Sequence, residues 1–224
     1  MTTFSIWYLQ TGAAVALISG TVVGVSTVSA QTPAKMPDAL YWSIGPMIRG
    51  RNYSQGMPMQ PVPLRRGGWY FDLPQLPASV HYVTFNHGSL VGKRRLVIRY
   101  RIEAAPGVRF LPITSPSSPS IITLYFQRAG DNWSGKRAFE AYRWYATFAS
   151  QSPITPGDHE MAAPLDANWT AVERSSASNN PVAFRRAIIE ADQVGFVLGG
   201  GDGYGHGIFA TGPARLIVKD FRVE

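Results

Sequence analysis

Residues 95–104 read RLVIRYRIEA, and their side chains alternate in character along the run. Leu96, Ile98, Tyr100 and Ile102 fall on one side of an extended chain. Val97, Arg99, Arg101 and Glu103 fall on the other. A period of two with one apolar and one charged face is the signature of a half-buried antiparallel strand. Working outward, further short runs of β-type composition are separated by turn clusters: WYFDL from Trp69, then VHYVTF, IITLYFQR, FEAYRWYATF, HEMAAPL, VGFVLGG, HGIFA and ARLIVKDFRV. Pro112, Pro116, Pro119, Pro153 and Pro156 all sit between these runs, which suits a residue that cannot donate to a central ladder. The rhythm predicts an all-β chain folded as an antiparallel β-sandwich.

One helix interrupts this rhythm, over Pro181–Ala191. Asn180 stands at the cap and Pro181 at the first helical position. Phe184, Ala187, Ile188 and Ala191 share a face, so the helix is expected to close one end of the sandwich. Upstream, residues 31–68 are rich in Pro, Gly and Met and carry no helical period. They read as an irregular lead-in packed on the sandwich, with one strand near Leu40–Ile44, and residues 69–224 as the sandwich domain.

Residues 1–34 contain no charged side chain, and Ala13–Val25 is apolar or small almost throughout. Val28-Ser29-Ala30 follows, a small-x-small pattern of the kind a signal peptidase cuts, so residues 1–30 are expected to be a signal peptide. The protein would then be periplasmic or secreted, with no stable membrane insertion after cleavage. Against this stand the missing Lys or Arg near the start and a span long enough to be an uncleaved anchor. The 224 residues include no cysteine, which excludes disulfides, thiol chemistry and thiolate metal sites.

The 21 basic residues outnumber the 14 acidic ones for a formal charge of +7, and 17 of the 21 are arginine. Arginine's planar fork matches carboxylate, sulfate or phosphate two bonds at a time, which points toward anionic partners. Nucleic acid is not expected, because no recognisable binding motif is present.

Two stretches carry candidate chemistry. Residues 198–207, LGGGDGYGHG, fit neither the dinucleotide pattern nor a phosphate loop nor a repeated calcium nonapeptide. Extended, they would put Gly201, Gly203, Gly205 and Gly207 on one side and Asp202, Tyr204 and His206 on the other. That is either a bare floor opposite a polar face, or a wide glycine hairpin loop. Residues 124–145, LYFQRAGDNWSGKRAFEAYRWY, mix aromatic rings with planar polar groups, as recognition of a sugar requires. Arg128, Asp131, Asn132, Trp133, Arg143 and Tyr145 are the candidate ligand-binding residues there, joined by Asp202, Tyr204 and His206. Along 139–148, Tyr142, Trp144 and Phe148 are expected in the core, with Arg143 and Tyr145 more exposed. Trp133, in a polar turn, is the ring expected at the surface.

From VGFVLGG to ARLIVKDFRV the chain also resembles the last third of the jelly rolls of the galactose-binding-like and carbohydrate-binding-module superfamily. The likeness is clearest over residues 165–224. A short helix bearing Phe184, Ala187 and Ile188 leads there into an apolar strand, a loop and a final strand, Leu216-Ile217-Val218-Lys219-Asp220-Phe221. The resemblance implies a jelly-roll sandwich that binds carbohydrate or an anionic polysaccharide. It also implies a place for Asp220 in a structural calcium site, with no other cofactor. Two alternatives stay open. One is a carbohydrate-active enzyme, such as a polysaccharide lyase using a Tyr or His base with Arg or Asn on a uronate, or a glycoside hydrolase. The other is a structural or adhesion module of the cell envelope.

Overall fold

The computed structural model describes residues 36–146, 148–200 and 205–224, and residues 33–224 form one compact unit. Nine main strands build it. They are β1 (Trp42–Gly45), β2 (Trp69–Asp72), β3 (Tyr82–Asn86), β4 (Arg95–Ala104), β5 (Ile121–Arg128), β6 (Arg143–Tyr145), β7 (Gly157–Pro164), β8 (Ala191–Gly199) and β9 (Ala214–Val223). The first sheet has the order β1-β3-β8-β5-β6, extended at β6 by the short pair partner Thr170–Ala171. The second has the order β7-β4-β9-β2, extended at β2 by Val62–Pro63. All pairings are antiparallel. From β2 to β9 the chain passes between sheets at every connection except β5 to β6. That winding, with β8 between β3 and β5 and β9 between β4 and β2, is a jelly-roll sandwich.

The RLVIRYRIEA run is β4, at the middle of the second sheet. Leu96, Ile98, Tyr100 and Ile102 are buried, while Arg99, Arg101 and Glu103 point outward with partial or full exposure. Their outward charges pair across the sheet: Arg99 Nε lies 3.1 Å from Glu160 Oε2, and Arg101 Nη1 lies 2.9 Å from Asp158 Oδ2. The ladder is exposed, so each pair adds little stability, but together the charges keep this face wet and the register unambiguous.

The core is knit by aromatic rings from both sheets. Trp42 on β1 contacts Phe85 at 4.6 Å, and across the sandwich it meets Trp69 at 4.7 Å and Phe221 at 5.2 Å. It is fully buried, as are Ile44, Trp69 and Phe196. The lead-in is therefore more than a packed strap: β1 completes the first sheet, while Leu40 and Tyr41, expected in the strand, form a 3₁₀ turn with Ala39. A second aromatic group gathers Phe126, Trp144, Trp169 and Phe184, the last supplied by α1 (Pro181–Ile189). Asn180 Oδ1 accepts from Ala183 N, so the cap is where the sequence places it. The helix stops two residues short of the expected end, because Ala191 already belongs to β8.

The expected strand over 139–148 is mostly absent. Arg137–Phe139 and Phe148–Ser150 are 3₁₀ turns and only Arg143–Tyr145 pairs with β5. Trp144 does enter the core. Arg143 and Tyr145 are also buried, at 7% and 1% exposure, whereas Tyr142 is only partly buried. The side chain of Phe148 lies outside the described residues.

Replacing Trp42 by Ala removes the ring that joins both sheets and should cost about 3–5 kcal/mol, lowering the urea midpoint with little change in slope. Val182→Ala, at a helix position 76% exposed, should stay within about 0.5 kcal/mol in the same assay.

Candidate functional site

The outer face of a sandwich sheet normally meets water, and in the first sheet it does not. Ile122, Leu124 and Phe126 of β5 point into the core, so Thr123, Tyr125 and Gln127 point away from it. Yet these three are buried as well. Tyr82 on β3, Val197 on β8 and Tyr145 on β6 join Tyr125 in a second buried cluster, against which Trp133 and Val172 pack.

Polar atoms in this cluster are bonded to one another. The hydroxyls of Tyr82 and Tyr145 lie 2.8 Å apart. Tyr125 Oη donates to Gln127 Oε1 at 2.8 Å, and Gln127 Nε2 donates to Asp131 Oδ2 at 3.0 Å. Arg143 Nε sits 2.9 Å from the same Asp131 oxygen, with 8% of the arginine side chain and none of the aspartate exposed. The pair is close but not aligned as a hydrogen bond, and Nε makes none. Burial works against the Arg143 charge, but Tyr145, Asp131, Tyr82 and Tyr125 outweigh it and raise its pKa. Burial pushes the Asp131 carboxyl above its usual value, against the pull of Arg143, two backbone N–H groups and Gln127. Burial likewise lifts the phenols of Tyr82 and Tyr125, the latter strongly.

The 129–136 turn closes over this network. Asp131 Oδ1 accepts from Trp133 N at 3.1 Å, and Trp133 adopts a φ of 65°, a backbone region costly for any residue with a Cβ. The indole stands edge-on to Tyr82 at 5.2 Å and under the Arg143 guanidinium at 5.1 Å, and the residue keeps part of its surface exposed. Gly135 lets the turn come this close: a Cβ there would lie 2.9 Å from Glu173 Oε1 and 3.0 Å from Arg143 Nη2. Asn132 is exposed, with its Oδ1 accepting from Ser134 N at 2.9 Å, which leaves its amide nitrogen turned to solvent.

The glycine run ends on the same face. A Cβ on Gly205 would sit 2.8 Å from the Tyr82 ring and 2.9 Å from Val197, and one on Gly207 would sit 2.5 Å from His81 Nε2. These glycines are a bare side laid on the cluster, and His206 between them is exposed. Asp202 and Tyr204 lie outside the described residues. His81 ties the segment down: its Nδ1 donates to Gly205 O at 3.0 Å, so Nε2 accepts from Ser79 Oγ at 3.1 Å. Burial lowers the His81 pKa below its ordinary value, with the nearby His206 adding to the shift.

Of the residues singled out from sequence, Asp131, Trp133, Arg143 and Tyr145 thus come together, and Asn132 lies on their rim. Arg128 does not join them. Its guanidinium pairs with Glu190 just after α1 at 2.5 Å and stacks on Tyr142 at 4.2 Å, which makes it a strap between strand and helix. Asp220 lies apart from this group as well, with its carboxylate 2.8 Å from Arg222 Nε. No group of three or more His, Asp or Glu able to hold a metal occurs among the described residues. Tyr82 was not among the candidates, and only its alternation with Val83 and Phe85 hinted at an outward position.

No protein-family model matches the chain, and no curated protein matches it. Among solved structures, a candidate glycoside hydrolase from Bacteroides vulgatus ATCC 8482 aligns with a TM-score of 0.35 and 11% identity, covering 73% of this chain and 75% of that one. A likeness this distant carries no argument about function.

Asp131→Ala should destabilise the fold by about 3–5 kcal/mol, because it strands the buried Arg143 charge. Adding Arg143→Leu should recover part of that loss in chemical denaturation. For His81 the folded pKa lies below the unfolded value of about 6.5. Its contribution is therefore complete above that value and is lost as pH falls through it toward the folded pKa. Stability measured from pH 7 down to pH 5 should decline less steeply in His81→Gln than in the parent.

Proposed function

We propose that this chain binds carbohydrate at the outer face of the first sheet, on the surface formed by the 129–136 turn. The observation that carries the reading is Trp133. Its backbone is held in a strained conformation by Asp131, its ring is propped by Tyr82 and Arg143, and the residue still reaches solvent. A pre-positioned indole offers a flat apolar surface to the C–H face of a sugar ring, and the free amide nitrogen of Asn132 beside it supplies donors for hydroxyls. The buried Tyr–Gln–Asp–Arg network is the support that keeps the ring in place, and Arg143 and Tyr145 act through it.

At the buried phenols of this face, binding is favoured over β-elimination. A lyase base must be able to lose its proton near neutral pH, and burial moves Tyr82 and Tyr125 the other way. An anionic glycan suits the +7 charge better than a neutral one. The reading includes export to the periplasm or beyond, resting on Ala13–Val25, Val28-Ser29-Ala30 and the absence of cysteine. Amino-terminal sequencing of the exported protein should then begin at Gln31.

A glycan array at low salt, followed by calorimetry on the best ligand, tests this directly. Trp133→Ala should weaken binding about tenfold or more, the loss of one aromatic anchor, while leaving the chain folded. Unchanged affinity in that variant, or no binding to any glycan, sinks the reading. A rise in unsaturated-product absorbance on incubation with polyuronates would replace it with a lyase.

A further inference from the structure

We infer that the face built by residues 39–71 docks on an anionic phospholipid surface. This stretch contains four arginines, Arg49, Arg51, Arg65 and Arg66, and no Asp, Glu or Lys. All four are exposed, and none makes an ion pair among the described residues. On the outer face of the second sheet the pattern differs: Arg95, Arg99, Arg101, Arg215 and Arg222 each lie within ion-pair distance of a carboxylate, while Arg94, Arg109, Arg137 and Arg185 are exposed without such a partner among the described residues but lie outside the apolar stretch. The same stretch holds seven of the twelve exposed large hydrophobic side chains of the described residues: Leu40, Tyr41, Met47, Tyr53, Met59, Val62 and Leu64. Exposed apolar groups scattered singly need no explanation, whereas gathered ones with unneutralised cations do.

Hydrogen bonds tie the amino-terminal part of this stretch together. Gln60 Nε2 donates to Leu40 O at 2.7 Å, and Asn52 Nδ2 reaches Ile44 O at 2.9 Å and Met59 Sδ at 3.4 Å. Ile44 N bonds Met59 O at 2.9 Å, which brings the 57–60 segment against the edge of β1. Met47–Ile48 and Arg51–Asn52 form a hairpin whose two turn residues, Arg49 and Gly50, have φ of 51° and 78°. Such a turn favours Asn, Asp or Gly at its first position, so an arginine there is a local cost that places a cation at the tip. At the other end, Arg65 and Arg66 occupy the turn closed by Leu64 N on Gly68 O at 3.0 Å. Beside it a cleft of about 640 Å³ is lined by Leu64, Arg66, Arg99, Lys219 and Arg222, with Asp38 and Asp220 as its only carboxylates among the lining residues.

Cations alone would suit any polyanion, and apolar tips alone would suit any greasy partner. Their combination on protruding turns fits an interface that offers both phases at once, negative headgroups above hydrocarbon. An acidic polysaccharide offers no apolar phase to Leu40, Met47, Met59 or Leu64. The contact is peripheral and distinct from a span, and it shares no residue with the Trp133 surface.

Cosedimentation of the full chain with vesicles tests the inference, comparing phosphatidylcholine alone with phosphatidylcholine mixed with phosphatidylglycerol. The parent should bind the mixed vesicles more strongly, and the excess should fade with added salt. Combined R49E, R51E, R65E and R66E should abolish that excess, lowering partition at least about 100-fold, with a melting temperature close to the parent's because all four side chains are exposed and make no ion pair among the described residues. Leu40→Ser with Met47→Ser should weaken it as well, and Trp133→Ala should leave it intact. Equal partition of the charge-reversed and parent chains overturns the inference. So does a parent that prefers neither vesicle, or serine variants that keep full binding while the charge reversal transfers its effect to polyuronate beads.

Discussion

The first sheet is buried on both of its faces, and most of what distinguishes this molecule follows from that. One face meets the second sheet through Trp42, Phe85, Phe126 and Phe196; the other carries Tyr82, Tyr125, Gln127, Arg143 and Tyr145 beneath the 129–136 turn and the glycine segment. Polar side chains that would ordinarily hydrogen-bond to water must find partners in one another, because an unpaired buried group costs about 1–3 kcal/mol. The chain of bonds from Tyr125 through Gln127 and Asp131, with Arg143 close by, is the outcome. Such a network fixes the geometry of whatever lies over it, which here is Trp133.

The second sheet obeys the opposite rule. Its outer face is wet and carries a ladder of exposed ion pairs, including Arg101 with Asp158 and Arg215 with Asp72. Arginine therefore does three jobs in one chain. It is neutralised at the surface of the second sheet, buried beside a carboxylate beneath the tryptophan turn, and left without a carboxylate partner among the described residues, beside exposed methionine, leucine and tyrosine, along residues 39–71. The net charge of +7 is thus unevenly distributed, and only local pairing tells which part of it is available to a partner.

Glycine has equally divided roles. Gly205 and Gly207 lie against Tyr82, Val197 and His81 where no Cβ would fit, and Gly135 does the same beside Arg143. The described end of the glycine run, Gly205–Gly207, is thin enough to lie against Tyr82, Val197 and His81, held by the His81 imidazole on the Gly205 carbonyl. This explains why it matches no phosphate or metal motif: its missing side chains serve packing against the chain's own rings.

What the sequence determined by itself was the sandwich and its wet sheet. In β4 and β9 the alternation of apolar and charged residues records a face toward the core and a face toward water, and the Asn180–Pro181 cap locates α1 by local chemistry alone. In β5 the run IITLYFQ is buried throughout, so alternation is erased and nothing local says which side each residue takes. Arg143 and Tyr145 looked exposed for that reason, since charge and a hydroxyl normally mark the solvent side. Only the tertiary structure decided otherwise, because the turn that covers them, the aspartate that faces Arg143 and the tyrosine that meets Tyr145 come from other strands and loops. A buried polar group is permitted by its partners, and those partners are neighbours in space that the order of residues does not reveal.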